Sequence, residues 1–399
     1  MSVTQLLAGI EGVGRDPKRG GYSRHGFDRA ELELREWFVA EAERRGLAVR
    51  TDRNGNLWAW WGQPGPDAIV TGSHLDSVPG GGAFDGPLGV VSALSAVDTL
   101  REHGFTPTKP LAIVVFAEEE GGRFGVPCLG SRLLSGAVDA DVARRLRDPD
   151  GVTLAEAVAE AGLDPARLGR DDEALSAIGT FVELHVEQGR GLIDLGMPIA
   201  VADSILAHGR WRFRFTGEGN HAGATLLGDR HDPMVPAAEM VLAARIAASE
   251  VDDARATVGR LVPTPGGTNV IASAVDVWLD ARAPDDARTR RVLDRIREMA
   301  AEAVAREGCE LTVTEESYGD TVHFDTGLRD RLVGLLGGVP TLPTGAGHDA
   351  GILAAHVPTA MLFVRNPTGV SHAPEEYAEP ADCETGADAL AAVLGHLAG

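Results

Sequence analysis

Five short, mostly apolar runs, at residues 57–61, 68–71, 111–117, 180–184 and 358–364, constrain this fold most. Each is too short for a buried helix, and none alternates as a half-exposed strand does. Set between helical stretches such as 88–103, they read as strands buried on both faces of a mixed, mostly parallel sheet flanked by helices, an α/β fold. Residues 28–45 read as an amphipathic covering helix: Asp28 caps it, Glu31 completes a capping box, Leu34, Trp37 and Phe38 share one face, and Gly46 ends it. A chain of 399 residues exceeds what a single core usually fills, which predicts two domains.

The pattern changes between residues 206 and 319. Trp211, Phe213 and Phe215 alternate with arginines, residues 233–249 are helical, 256–262 and 274–282 read as strands, 286–307 as a helix, and 310–315 alternate again. That is the β-α-β-β-α-β order of a ferredoxin-like domain. The expected organisation is a catalytic domain of residues 1–205 and 320–399, interrupted by an inserted α+β domain of residues 206–319.

Fifty-nine acidic against 37 basic residues give a formal charge of −22, with no basic run, which disfavours nucleic acid and anionic lipid as partners. Cys128, Cys309 and Cys383 lie far apart, so neither a disulfide framework nor a thiolate metal site is expected. No run of 18 apolar residues occurs, and the first residues lack the charged and apolar regions of an export signal; the expected compartment is the cytoplasm.

Chemistry is concentrated where apolar runs end. Residues 68–71 lead to His74 and Asp76, residues 111–117 to Glu118, Glu119 and Glu120, residues 180–184 to His185, and residues 358–364 to a loop with His372. Taken singly, each is an ordinary packed imidazole or solvated carboxylate. Ligands gather beyond the carboxyl ends of strands in open α/β sheets, so these segments can converge. Burying part of the triple-glutamate charge without a counter-ion costs on the order of several kcal/mol, and a cation removes that cost. Asp85 sits in a glycine-rich loop that lets a carboxylate approach closely. Three imidazoles and two carboxylates without a thiolate suit Zn²⁺, Mn²⁺ or Co²⁺ at a hydrolytic centre, and one bridging carboxylate accommodates two ions.

Eight ordered segments, GSHLDSVPGGGAFDGPLGV, AEEEGGRF, ELHVEQG, GEGNHAGAT, GGTNVI, LDAR, GAGHDAG and GVSHAPEE, together resemble the M20 metallopeptidase superfamily. Within it they are similar to the amidase (hydantoinase/carbamoylase) branch of allantoate amidohydrolases, N-carbamoyl-L-amino acid hydrolases and β-ureidopropionases. The resemblance implies two divalent metal ions, one held by His74, Asp85 and His185, the other by the shared Asp85 with Glu120 and His372. It implies Glu119 as the general base, with Glu118 as the alternative register, and Asp76 as the carboxylate orienting His74. His221 matches a lid histidine that donates to the substrate carbonyl, often from the neighbouring subunit of a dimer.

The same resemblance implies that Arg282 clamps a substrate carboxylate, with Gln188 and Asn269 bonding the carboxylate or ureido group. Arg365 departs from the uncharged stretch of many relatives and is expected either to meet a second anionic or ureido group, as in allantoate or an N-substituted acidic amino acid, or to pair with Glu375 or Glu376. The expected activity is cleavage of a linear, non-peptide C–N bond in an N-carbamoyl-type small-molecule carboxylate by a homodimer paired through the inserted domain. The alternatives are an N-formyl or N-acyl amino acid amidohydrolase, an aminoacylase or exopeptidase of the superfamily, and a catalytically silent binding protein on the same fold.

Overall fold

The computed structural model describes residues 1–399, which form two compact units, Met1–Ser204 with His323–Gly399 and Ile205–Val322. In the first unit the strands are β1 (Ala48–Thr51), β2 (Leu57–Trp61), β3 (Ile69–His74), β4 (Leu111–Phe116), β5 (Thr180–Val186) and β6 (Ile199–Ile205). In the second they are β7 (Ala207–Thr216), β8 (Asn220–His221), β9 (Arg255–Thr264), β10 (Val270–Ile271), β11 (Ala274–Ala283) and β12 (Glu310–Gly319). The larger sheet resumes with β13 (Val322–His323), β14 (Thr341–Thr344) and β15 (Thr359–Val364).

The larger sheet has the order β1-β2-β4-β3-β5-β15-β6-β13, with β14 beside β6. Its centre is parallel, β4 to β3, β3 to β5 and β5 to β15, and pairing turns antiparallel at β1–β2, β2–β4 and β15–β6. The apolar runs therefore do make a largely parallel sheet flanked by helices, while the run at 57–61 lies antiparallel near its edge. On one face Leu57, Ile113, Val115, Leu184, Leu362 and Val364 share a core with residues of helices Val3–Ile10, Pro87–Glu102 and Pro380–Ala398. Each such fully buried aliphatic side chain contributes about 1.5–3 kcal/mol. At Gly72, two residues before His74, φ is 151° and an added Cβ would lie 1.8 Å from the Val114 carbonyl oxygen. Only glycine lets β3 run this close to β4.

Helix Arg29–Arg44 begins as expected at Asp28, whose side chain accepts the Glu31 amide at 2.8 Å. The reciprocal arm of the capping box is replaced: Glu31 accepts the Phe27 amide and pairs with Arg35, because its carboxylate is buried and takes the nearest cation.

The second unit is an antiparallel sheet, β12-β7-β11-β9. Trp211, Phe213 and Phe215 point from β7 into a core with Met240 of helix Met234–Ser249 and Val292 and Ile296 of helix Asp286–Glu307. Alternate positions carry arginines paired across strands, as Arg214 with Asp276. No helix of the chain is long and apolar enough to cross a membrane.

Candidate metal centre

Because β3, β4, β5 and β15 are parallel, their carboxyl ends share one edge, and the residues that follow them meet there. His74 ends β3, Glu119 and Glu120 follow β4, His185 lies near the end of β5, and His372 stands on the loop after β15 in a left-handed conformation, φ 56°. Asp85 sits at their centre. Its Oδ1 lies 3.7 Å from Nε2 of His74 and 3.2 Å from Nε2 of His185, and its Oδ2 lies 3.4 Å from Nε2 of His372. The same His372 nitrogen is 3.4 Å from Glu120 Oε2. The candidate ligand atoms thus fall into two groups sharing Asp85, His74–Asp85–His185 and Asp85–Glu120–His372.

The donor set fits divalent metal. Nδ1 of His74 is 3.1 Å from the Asp76 carbonyl oxygen and Nδ1 of His185 is 2.9 Å from that of Val186. A neutral ring bonded this way carries its proton on Nδ1 and turns the Nε2 lone pair toward Asp85. Both Nε2 atoms are buried without a hydrogen-bond partner, an arrangement that a shared cation would satisfy. Burial lowers the basicity of His74, but Glu119, Asp76 and Glu120 outweigh it and hold the ring well above its ordinary pKa. Burial likewise pushes the Glu119 and Glu120 carboxyls well up, although His74 pulls the other way.

The three glutamates separate clearly. Glu118 is spent on the backbone, accepting the amides of Gly26 (3.1 Å), Arg123 (2.8 Å) and Phe124 (2.7 Å). Glu119 Oε2 instead lies 3.6 Å from His74 Nε2. Asp76 touches His74 mainly through its carbonyl; its carboxylate, 3.6 Å from Nδ1, accepts the amides of Glu119 (3.1 Å) and Glu120 (3.0 Å) and so fixes where both side chains start. Gln188 donates to Asp85 Oδ2 at 2.9 Å and Ser371 Oγ at 3.1 Å, while its own Oε1 is buried without a partner.

Three further buried residues stand at this edge that the sequence does not mark as site residues, although Glu376 lies in the motif GVSHAPEE. His348 packs its ring centroid 4.5 Å from that of His185, and its Nε2 has no partner; burial and the neighbouring His185 hold it well below the usual histidine range. Glu183 accepts Ser73 Oγ at 2.9 Å and the Ala350 amide at 3.0 Å, and with His185 and His348 forms a third group of possible ligands. Glu376 is buried beside the Asp85 loop. The motifs GAGHDAG and ELHVEQG contain the first two; the one signal for Glu183 is a carboxylate in the middle of a mostly apolar strand, and for His348 its place just before helix Asp349–Leu353.

Arg365 meets neither Glu375 nor Glu376. Its guanidinium forks onto Asp382 of helix Pro380–Ala398, at 2.9 and 3.2 Å, a partner 17 residues away that only the helix brings back. In the second unit, Asn269 and His221 stand together: β8 pairs with β10, placing His221 opposite Val270, and the Ala222 amide donates to the Asn269 carbonyl at 3.0 Å. His221 Nδ1 accepts the Gly223 amide at 3.1 Å, so the neutral ring presents Nε2–H outward. Arg282 lies at the opposite end of β11, paired with His208, and is held by Asp280 at 2.8 and 3.0 Å.

Such a cluster of buried imidazoles and carboxylates at the carboxyl edge of an α/β sheet defines a metal-dependent hydrolase. The family model for peptidase family M20/M25/M40 matches residues 70–396. The chain is 36% identical to an N-carbamoyl-L-amino acid amidohydrolase of Geobacillus stearothermophilus, covering 99% of this chain and 97% of that one. It is 32% identical to an allantoate amidohydrolase of Bacillus subtilis, covering 95% and 93%. A crystal structure of an amidase of the hydantoinase/carbamoylase family from Burkholderia multivorans superposes with a TM-score of 0.85 at 31% identity, over 99% of this chain and 97% of that one. The chain therefore belongs to peptidase family M20/M25/M40, as an amidohydrolase acting on carbon–nitrogen bonds other than peptide bonds.

Proposed function

We propose that the protein hydrolyses the carbamoyl group of an N-carbamoyl-L-amino acid, using two divalent ions (Zn²⁺, Mn²⁺ or Co²⁺) held by His74, Asp85 and His185 and by Asp85, Glu120 and His372. The observation that carries this reading is the split of Asp85, Oδ1 toward two buried histidines and Oδ2 toward a third. Ions bound there supply Lewis acidity to the scissile carbonyl and acidify water. Glu119, with burial keeping its carboxyl basic, takes the proton of the attacking water and returns it to the leaving nitrogen. Arg282, oriented by Asp280, binds the substrate carboxylate; Asn269 and Gln188 bond its polar groups; His221 donates Nε2–H to the carbonyl oxygen as charge develops.

Arg365 is left out of the substrate contacts because, unlike Arg282, it matches no clamp position of the resemblance and its fork is held by the nearly buried Asp382. That removes the argument for a second anionic or ureido group and favours a carbamoyl amino acid over allantoate. A panel of N-carbamoyl-L-amino acids, allantoate, N-formyl amino acids and dipeptides tests the assignment, read as ammonia released from the carbamoyl and ureido substrates and as free amino acid released from the others. Turnover confined to dipeptides contradicts it, and turnover confined to allantoate replaces the substrate.

The second unit's own geometry supports reading the protein as a homodimer. Arg282 and Ala274 stand eight residues apart on β11, about 27 Å at the usual rise, and His221 and Asn269 lie beyond the Ala274 end. A small substrate spans far less, so if Arg282 and His221 both touch it they come from different copies. Helix Met234–Ser249 leaves Leu242 (65% exposed) and Ile246 (44%) uncovered one turn apart, an apolar stripe suited to a second copy. Mixing the inactive variants Arg282→Ala and His221→Ala is expected to restore activity that neither shows alone; no recovery on subunit exchange contradicts the shared site. Within the cell the expected setting is cytoplasmic.

A further inference from the structure

The carboxylate of Glu376 has no assigned part in the reaction, yet it is almost inaccessible and touches two of the three segments that carry the second ion's candidate ligands, those of Asp85 and His372. Its Oε1 accepts two successive amides of the glycine-rich loop, Phe84 at 3.1 Å and Asp85 at 3.0 Å. Its Oε2 lies 3.2 Å from the hydroxyl of Ser371, the residue before His372, and that hydroxyl is also 3.4 Å from Asp85 Oδ2. At Gly82 an added Cβ would stand 2.1 Å from Glu376 Oε1 and 2.4 Å from its Cδ, so the loop has room for the carboxylate only because residue 82 has no side chain. A buried carboxylate with this many fixed partners is costly unless the arrangement serves something.

We propose that Glu376 is a positioning residue that ties the Asp85 loop to the His372 loop, so that Asp85 and His372 approach the Asp85–Glu120–His372 ion as one preformed pair. The inference rests on the two-ion reading above. His74 and His185 need no such tie, since β3 and β5 and the backbone carbonyls of Asp76 and Val186 fix them. His372 does: it is half exposed, on a loop, in a left-handed conformation. Removing Glu376 therefore weakens one ion selectively. Glutamine is a rescue, because its oxygen can take both amides and its NH₂ can donate to Ser371 Oγ.

The test is ion content and affinity on the demetallated full chain, titrated with Zn²⁺ and with Mn²⁺. Wild type is expected to take two ions. Glu376→Ala keeps one at nearly wild-type affinity and weakens the other roughly 10–100-fold, the usual effect of losing a group that orients ligands. Gly82→Ala, which displaces the carboxylate without deleting it, has the same effect and stands in if Glu376→Ala does not fold; Glu376→Gln resembles wild type. Two ions at wild-type affinity in both Glu376→Ala and Gly82→Ala overturn the proposal, as does equal weakening in Glu376→Gln. If wild type itself binds one ion, the two-ion reading fails instead, and the same three variants judge the tie by that single affinity.

Discussion

Glu118 and Glu119 are consecutive in the chain, yet their carboxylates take different partners: Glu118 turns back over the amides of Gly26, Arg123 and Phe124, while Glu119 Oε2 faces His74 Nε2 at 3.6 Å. A left-handed backbone at Glu118, φ 52°, makes the reversal. Changing Glu119→Gln is therefore expected to lower kcat by roughly 10²–10⁴-fold with KM and bound metal retained, as loss of a general base does. Glu118→Gln, which leaves buried amides short of an acceptor, is expected to lower unfolding stability by about 1–3 kcal/mol while kcat of the folded enzyme stays near wild type. Steady-state kinetics beside a urea melt separates the two; the reverse pattern would exchange their roles.

Arg282 and Asp280 make a fork that presets the guanidinium. Arg282→Lys is expected to raise KM roughly 10–100-fold, since a bidentate bond to a carboxylate worth about 1.5–3 kcal/mol is lost. Asp280→Asn raises KM less, by loosening the clamp without removing it. Burial pushes the Asp280 carboxyl up, and Arg282 outweighs it and lowers the pKa below 3.8. A depressed carboxylate pKa gives stability that is present above 3.8 and lost as pH falls through the folded value. The stability difference between wild type and Asp280→Asn should thus be larger at pH 7 than at pH 2.5, read from denaturant midpoints.

Arg365 and Asp382 are a structural pair. Arg365→Ala leaves the nearly buried Asp382 carboxylate without its cation and is expected to cost about 1–3 kcal/mol of stability. KM should change equally, and little, for acidic and neutral carbamoyl amino acids. A rise confined to acidic substrates would return Arg365 to the substrate contacts.

Much of this is legible in the sequence because parallel strands advertise themselves: they are mostly apolar, and the polar residues at and just past their ends meet. His74, Asp85, Glu120, His185 and His372 are such residues, and they do stand together. His348, Glu183 and Glu376 leave no spacing pattern, because their partners are a ring and a serine on other strands and backbone amides of a distant loop. Arg365 was misread for a related reason: a loop arginine looks available until a helix 17 residues later returns an aspartate to it. The antiparallel pairing of β2 was equally invisible, since an apolar run carries no direction.

On the proposed reading, Asp85 is shared by two bound ions and the reaction depends on both. Counting divalent ions per chain alongside turnover of an N-carbamoyl-L-amino acid tests it most directly, in wild type, Asp85→Ala and His372→Ala. The account predicts two ions for wild type, loss of tight binding at both positions with loss of turnover for Asp85→Ala, and one retained ion for His372→Ala. One ion in wild type, or two tightly bound ions in Asp85→Ala, would contradict it.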